Sequence, residues 1–240
     1  MDNDAKQVPF IFEPKVLYLK QDFMVSACNE RALKIIEAWP NWPFFALSLY
    51  GPKGSGKTHL AHIFAQNISL KQGKPIDVKM VQAVDLKTKK IPTLYKQSPC
   101  LVVENVSNSI DEEALFHLYN FYQNEGGYIL FTSNLPLARL NFHLPDLKSR
   151  LKMVPSVAIL EPDDDMLEAL IVKLFTDRQI VISAETLNYI LQNMERSFAY
   201  ALKLVERCDE LSLSLKRAVS VPIVKKAIAQ LSHNVQQELF

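Results

Sequence analysis

A parallel α/β sheet with helices on both faces, followed by an all-helical segment, is the fold this sequence predicts, on three observations. Short apolar runs alternate with helical patterns over the first part of the chain, the signature of strands joined by crossover helices. One apolar run passes through a glycine-rich turn directly into a helical pattern. The glycines then stop: all six fall at or before Gly127, and from Asp163 onward Pro222 is the single proline, so the second part reads as helical.

Taken in order, the first residues, 1–16, lack a partner pattern and read as a mobile tail. Strands are expected at 44–49 (FFALSL), 101–103 (LVV) and 128–131 (YILF), and helices at 58–70 and 112–123. Near 157–162 the pattern changes, and the acidic run Asp163-Asp164-Asp165 supplies a helix start, its charge favoured by the helix dipole. The boundaries are therefore a tail at 1–16, an α/β domain at 17–158 and a helical domain at 159–240. A chain of 240 residues, 48% hydrophobic and 22% charged, is long enough to bury such a core without staples.

Charge and cysteines exclude several classes. Lys+Arg 27 against Asp+Glu 26 leaves a net charge of +1, which gives no general attraction to nucleic acid, although Lys71, Lys74, Lys79, Lys87, Lys89 and Lys90 form a basic stretch whose plain reading is a solvated face. Cys28, Cys100 and Cys208 are odd in number and far apart, so neither a disulfide framework nor a zinc cluster is expected. The acidic N-terminus and the lack of a long apolar run point to a cytoplasmic protein.

Gly51-Pro52-Lys53-Gly54-Ser55-Gly56-Lys57-Thr58 matches G-x-x-x-x-G-K-[ST], the phosphate-binding P-loop, between an apolar strand and a helix. Glycines let the backbone curl so that its N–H groups converge on phosphate oxygens, and the helix N-terminus adds its dipole. Lys57 would neutralise phosphate charge and Thr58 would hold Mg²⁺. The acid for that metal is expected on a second strand, and Glu104, in Leu101-Val102-Val103-Glu104-Asn105, is the candidate, directly or through water; the alternative is a strand-end carboxylate. Asn105 stands where a second acid is usual. An amide orients water but cannot take its proton, so the site is expected to bind nucleotide tightly and hydrolyse it slowly.

Asn134, after the strand at 128–131, falls at the sheet edge where α/β ligands bind, either to sense a γ-phosphate or as a turn residue before Pro136. Arg150 ends the helix in LPDLKSRL, and Arg196 opens one in MERSFAYALKLVERC. Spacing alone leaves both arginines open to being solvated surface charges. The five histidines show no zinc spacing, there is no G-x-S-x-G elbow, and the consecutive aspartates do not alternate as calcium ligands do.

Together these segments, with DFMVSACNERALKIIEAWPNWP, ALFHLYNFYQNEGGYILFTSNLP and PDDDMLEALIVKLFTDRQI, resemble the AAA+ ATPases of the bacterial replication initiator DnaA, most closely the shorter Hda type, including the alphaproteobacterial HdaA form. The resemblance covers nearly the whole chain and implies a P-loop AAA+ three-layer sheet with a helical lid. It implies that the segment from Phe23 to Asn29 lies against adenine, with His59 beside the phosphate loop. It makes Asn134 sensor 1, Arg150 an arginine finger facing a neighbour's nucleotide, and Arg196 a sensor 2 facing its own. The stretch 78–101 looks too short for the initiator's DNA-gripping insertion, and no helix-turn-helix follows the lid. An Asn at position 105 is similar to what Hda-type proteins show.

Hda-type proteins carry an N-terminal peptide that docks on the DNA polymerase sliding clamp, and Gln7, Phe10 and Phe12 fit it loosely. The alternative is an edge strand, and a rival motif ends the chain at Gln236, Leu239 and Phe240. The resemblance thus implies a regulator that binds ADP or ATP with Mg²⁺, docks on the DNA-loaded clamp and stimulates ATP hydrolysis on DnaA through Arg150. Two alternatives are a homo-oligomeric ATPase completing its site with Arg150 of an identical subunit, and a nucleotide-dependent adaptor or loader for another replication protein.

Overall fold

The computed structural model describes residues 20–71 and 78–237. Strands β1 (Ala46–Tyr50), β2 (Lys79–Gln82), β3 (Cys100–Val106), β4 (Tyr128–Ser133) and β5 (Ser156–Ala158) form one parallel sheet in the order β2-β3-β4-β1-β5. Parallel neighbours need crossovers rather than hairpins. After α1 (Glu30–Ala38) and β1 comes α2 (Lys57–Lys71); α3 (Ile91–Gln97) precedes β3, α4 (Glu112–Glu125) joins β3 to β4, and α5 (Pro145–Lys152) joins β4 to β5.

The period of two along each strand makes the three layers. In β3, Leu101 and Val103 face one core while Cys100 and Val102 face the other; in β4, Ile129 and Phe131 are divided from Leu130 in the same way. The first core is completed by α4 and α5 through Leu115, Leu118, Leu147 and Leu151, the second by α1 and α2 through Ile36, Leu60 and Phe64. Trp42 stacks on Phe64 with ring centroids 5.2 Å apart, closing the second core.

Beyond β5 the chain becomes helical: α6 (Asp164–Asp177), α7 (Ala184–Asn193), α8 (Phe198–Leu215) and α9 (Val221–Gln237) bury a third core that includes Ile171, Phe175, Ile190, Leu204 and Val224. The expected helix start holds, because the Asp163 side chain accepts the Met166 N–H at 2.9 Å. The strands at 44–49, 101–103 and 128–131 appear with bounds displaced by at most three residues. The sequence reading missed β2 and β5. Both are edge strands of three or four residues, and β2 lies within the lysine-rich stretch, so neither offers a continuous apolar run. The three cysteines are free and buried, and burial pushes the Cys100 thiol up to about 11 and the Cys208 thiol to about 12. Among the described residues no helix is long and apolar enough to cross a membrane.

Candidate functional site

Strand order decides what meets at the carboxyl edge of the sheet. Because β4 lies between β1 and β3, the P-loop after β1, Asn134 after β4 and the Glu104–Asn105 end of β3 arrive side by side.

The P-loop has the curled backbone that phosphate binding needs. Gly54 and Gly56 have φ of +80° and +97°, conformations that L side chains rarely adopt. A Cβ at Gly51 would stand 2.2 Å from the Ile159 carbonyl oxygen, so that glycine is demanded by packing against the strand exit. Lys57 is buried, and its Nζ donates to the carbonyl oxygens of Gly51 and Pro52, both at 2.7 Å. Burial lowers its pKa, so an arriving phosphate would relieve a cation held only by neutral oxygens. Ser55 Oγ is buried with no hydrogen-bond partner among the described residues, a further polar atom that an anion or its water shell would satisfy. Both features fit a nucleotide phosphate.

Thr58 Oγ1 donates to Glu104 Oε1 at 2.9 Å, and Glu104 is 8% exposed. A hydroxyl and a carboxylate in contact suit Mg²⁺, which takes oxygen ligands and keeps several waters. The two residues would hold it directly or through water. Residue Asn105 owes its position to a bulge: Val103 pairs with Phe131 but Val106 with Ser133, so β3 carries one extra residue, and Asn105 takes φ +59°. Its backbone N–H donates to Thr132 Oγ1 at 3.1 Å, and its side-chain amide donates to Gln82 Oε1 at 2.8 Å. Gln82 in turn donates to Glu104 Oε2 at 3.3 Å. Gln82 thus ties the acid to the amide that replaces a second acid, a role the sequence reading missed because Gln82 ends a short edge strand.

Two adjoining cavities lie between the sheet edge and the helical lid. The larger, about 640 Å³, is lined by Lys53, Gly54, Gly56, Lys57, Thr58, Asn105 and Asn134, with Phe198, Ala199 and Leu202 of α8 facing them. The second, about 280 Å³, is lined by Phe23, Met24 and Asn29 on one side and Leu170, Leu174 and Phe198 on the other, with His59 shared between the two. Phe23 meets His59 edge to face at 5.1 Å. A polar cavity on the P-loop joined to an apolar, aromatic one suits a phosphate chain and a base. Asn29 has a more local duty than expected: its side chain accepts the Ser26 N–H and donates to the Met24 carbonyl, shaping the wall of the base cavity with both polar ends engaged. Lys173 bridges Asp177 at 3.1 Å and Asp22 at 3.6 Å at the rim, joining the segment before α1 to the lid.

The two arginines part company. Arg196 lines neither cavity: it precedes the cap residue Ser197 and forms an ion pair with Asp164 in the first turn of α6. Its position beside Ser197 and Ala199, which lie against Gly54, still leaves it next to the P-loop side of the lid. The helical face turned to the P-loop is Phe198-Ala199 and Leu202, and Ala199 packs so closely that a Cβ on Gly54 would come within 3.0 Å of it. Arg150, at the end of α5, stands apart from both cavities, its guanidinium carbon 5.4 Å from the Phe116 ring and 5.8 Å from the Tyr119 ring. It lines an open notch of about 660 Å³ with Tyr119, Gln123, Asp146, Ser149 and Met153, the last of them 79% exposed. Gln7, Phe10 and Phe12 lie outside the described residues, as do Leu239 and Phe240; Gln236 falls in the last turn of α9.

A P-loop on the carboxyl edge of a β2-β3-β4-β1-β5 parallel sheet, under a helical lid that walls its cavity, defines an AAA+ nucleotide-binding module. The chain belongs to the bacterial DnaA ATPase-domain family, whose model matches residues 15–158, and the model of the Hda lid domain matches residues 163–228. It is an Hda-type, DnaA-related AAA+ protein. It is 28% identical over 190 residues to an uncharacterized protein of Haemophilus influenzae, covering 78% of this chain and 81% of that one. Its fold is similar to domain III of the Thermotoga maritima replication initiation protein DnaA, with TM-score 0.75 and 17% identity over 89% of this chain and 96% of that one. AMPPCP-bound DnaA from Aquifex aeolicus is also similar, with TM-score 0.68 and 21% identity over 95% of this chain and 73% of that one.

Proposed function

We propose that this chain is an adenine-nucleotide-binding regulator of chromosomal replication initiation that acts on a DnaA-type initiator. With ADP or ATP and Mg²⁺ in its own site, and docked on the DNA-loaded sliding clamp, it presents Arg150 to ATP held by the initiator and stimulates that hydrolysis, which prevents re-initiation. The single observation that carries this reading is the placement of Arg150, held on an aromatic platform at an open notch outside the chain's own cavities. A cation there serves its own nucleotide nothing. It is available to a second nucleotide approaching from outside.

The chain's own site supports the other half of the reading. Lys57, the P-loop N–H groups and the α2 N-terminus bind phosphate charge, and Thr58 with Glu104 would hold the metal, which screens that charge. Asn134 lines the same cavity, where it would contact a terminal phosphate. The residue beside Glu104, however, is an amide whose NH₂ is engaged by Gln82, so no second carboxylate is at hand to take a proton from water. Binding with weak intrinsic hydrolysis follows, and the chemistry belongs to the partner, where the guanidinium of Arg150 would stabilise charge developing on the transferred phosphoryl group.

The domains that carry these roles are a tail at 1–16 bearing the clamp peptide, the AAA+ domain at 17–158 and the lid at 159–240. The proposed site of action is the cytoplasm, on the nucleoid through the clamp. The deciding experiment follows hydrolysis of labelled ATP prebound to DnaA, with clamp-loaded DNA and either wild type or Arg150→Ala. Stimulation by wild type alone is expected. Equal stimulation by both would overturn the arginine-finger reading, and none by either, with nucleotide bound and clamp engaged, would favour the adaptor. Substantial hydrolysis by nucleotide-dependent oligomers of the isolated chain would favour the self-assembling ATPase.

A further inference from the structure

Helix α5, which delivers Arg150, has a poor start of its own. Its cap residue is Leu144, whose side chain has no polar atom, and its first residue is Pro145. The neighbouring helix supplies the missing acceptor. Glu112, in the first turn of α4, takes the His143 N–H at 3.0 and 2.9 Å on its two oxygens and the Leu144 N–H at 2.7 Å, and its Oε1 lies 3.1 Å from His143 Nδ1. Although burial acts to raise its pKa, the N–H groups of His143 and Leu144 and the His143 ring hold the carboxyl below its ordinary value, so it is the anion that makes these bonds.

The far end of α5 meets the same stripe of α4. Residues 112, 116, 119 and 123 are spaced four, three and four apart, which places them on one helical face. Phe116 and Tyr119 lie under the Arg150 guanidinium, and Gln123 Oε1 accepts from Arg150 Nη1 at 3.4 Å. Between the two ends, Leu147 and Leu151 enter the core shared with Leu115 and Leu118 of α4.

We infer that Glu112 is the positioning residue of Arg150: by pinning the start of α5 to α4 it fixes the rotation of α5 about its axis, and so the direction in which the guanidinium leaves the aromatic stripe. A half-buried arginine on ring faces still has several rotamers, and rate enhancement by a charged group depends on holding it where charge develops, so orientation lost at the start of the helix is felt at its end. The consequence for hydrolysis rests on the trans-acting role proposed above; the consequence for Arg150 itself does not.

The test therefore has two arms. In the first, ¹H–¹⁵N spectra of arginine side chains, with Arg150 assigned through Arg150→Lys, are recorded on the isolated chain with ADP. The Arg150 Nε–H resonance of wild type is expected to be displaced by the Phe116 and Tyr119 rings, to collapse toward the solvent-exposed arginines in Glu112→Ala, and to recover in part in Glu112→Gln, which keeps one acceptor oxygen. Asn108→Ala is the control, because Asn108 Oδ1 accepts the Asn141 N–H at 2.8 Å and ties down the same loop without touching the start of α5. An unmoved resonance in Glu112→Ala, or an equal collapse in Asn108→Ala, would overturn the inference whatever the partner does. In the second arm, Glu112→Ala is expected to lower the maximal stimulated rate at least tenfold while the half-saturating concentration and ADP affinity change less than about twofold. A rise in half-saturating concentration with the maximal rate kept would instead assign Glu112 to docking and overturn positioning. Stimulation retained in Arg150→Ala, with the resonance still moving in Glu112→Ala, would sink the arginine-finger reading and leave Glu112 as what orients Arg150.

Discussion

Lys57 in the P-loop and Arg150 at its notch are two cations held in opposite ways. Lys57 is buried, bonded only to loop carbonyls, and desolvated enough to lower its pKa. Arg150 lies at an open notch on two ring faces, with one long hydrogen bond to Gln123. A buried cation among neutral oxygens is poised to receive an anion into its own cavity, whereas a cation resting on ring faces is stored at modest cost and easily released toward another molecule. The contrast teaches that one sheet domain can keep a buried cation for its own cavity and an aromatic-borne cation at a separate open notch. Asn105, on the wall of the P-loop cavity, has its side-chain amide engaged by Gln82.

The sharpest way to break the comparison is Arg150→Ala. Stimulation of the initiator's hydrolysis should fall by on the order of 10³ or more, the range of arginine fingers, while calorimetry shows ADP affinity unchanged. Next comes Asn105→Asp, which puts a carboxylate where the amide stands; intrinsic ATP hydrolysis in a single-turnover assay should rise by on the order of 10², the scale of general-base catalysis. No rise would show that the missing acid is not what silences the site. Lys57→Ala should weaken nucleotide binding by roughly 10- to 100-fold in calorimetry, the scale of one charge-assisted hydrogen bond, and leave the Arg150 resonance in place. The smallest effect is expected from Arg196→Ala. Its pair with Asp164 is exposed on both sides, with 47% and 64% of the side chains accessible, so the loss should be within about 1 kcal/mol in ADP affinity or unfolding free energy. A loss near that of Lys57→Ala would instead assign Arg196 to the nucleotide.

Legibility followed sequence distance. The P-loop was readable because eight consecutive residues carry its chemistry, and the flanking strand and helix confirm the context. The central strands were readable because both of their faces are buried, which leaves unbroken apolar runs. Edge strands β2 and β5 were not, and with β2 went Gln82, whose hydrogen bonds to Glu104 and Asn105 cross between strands. The lid was legible as helices but not in its rotation: Arg196 and Ala199 are three residues apart, and only the folded structure shows Ser197 and Ala199 set against Gly54.

The sequence by itself therefore determined the fold class, the phosphate loop and the absence of a second acid beside Glu104, because each is written in contiguous residues whose periodicity and chemistry are local. Only the tertiary structure decided that Arg196 turns to Asp164 while Ala199 walls the phosphate cavity, that Gln82 engages Asn105, and that Glu112, Phe116, Tyr119 and Gln123 carry the helix and side chain of Arg150. These depend on how helices rotate and which strands become neighbours, and that is fixed by packing among residues far apart in the chain.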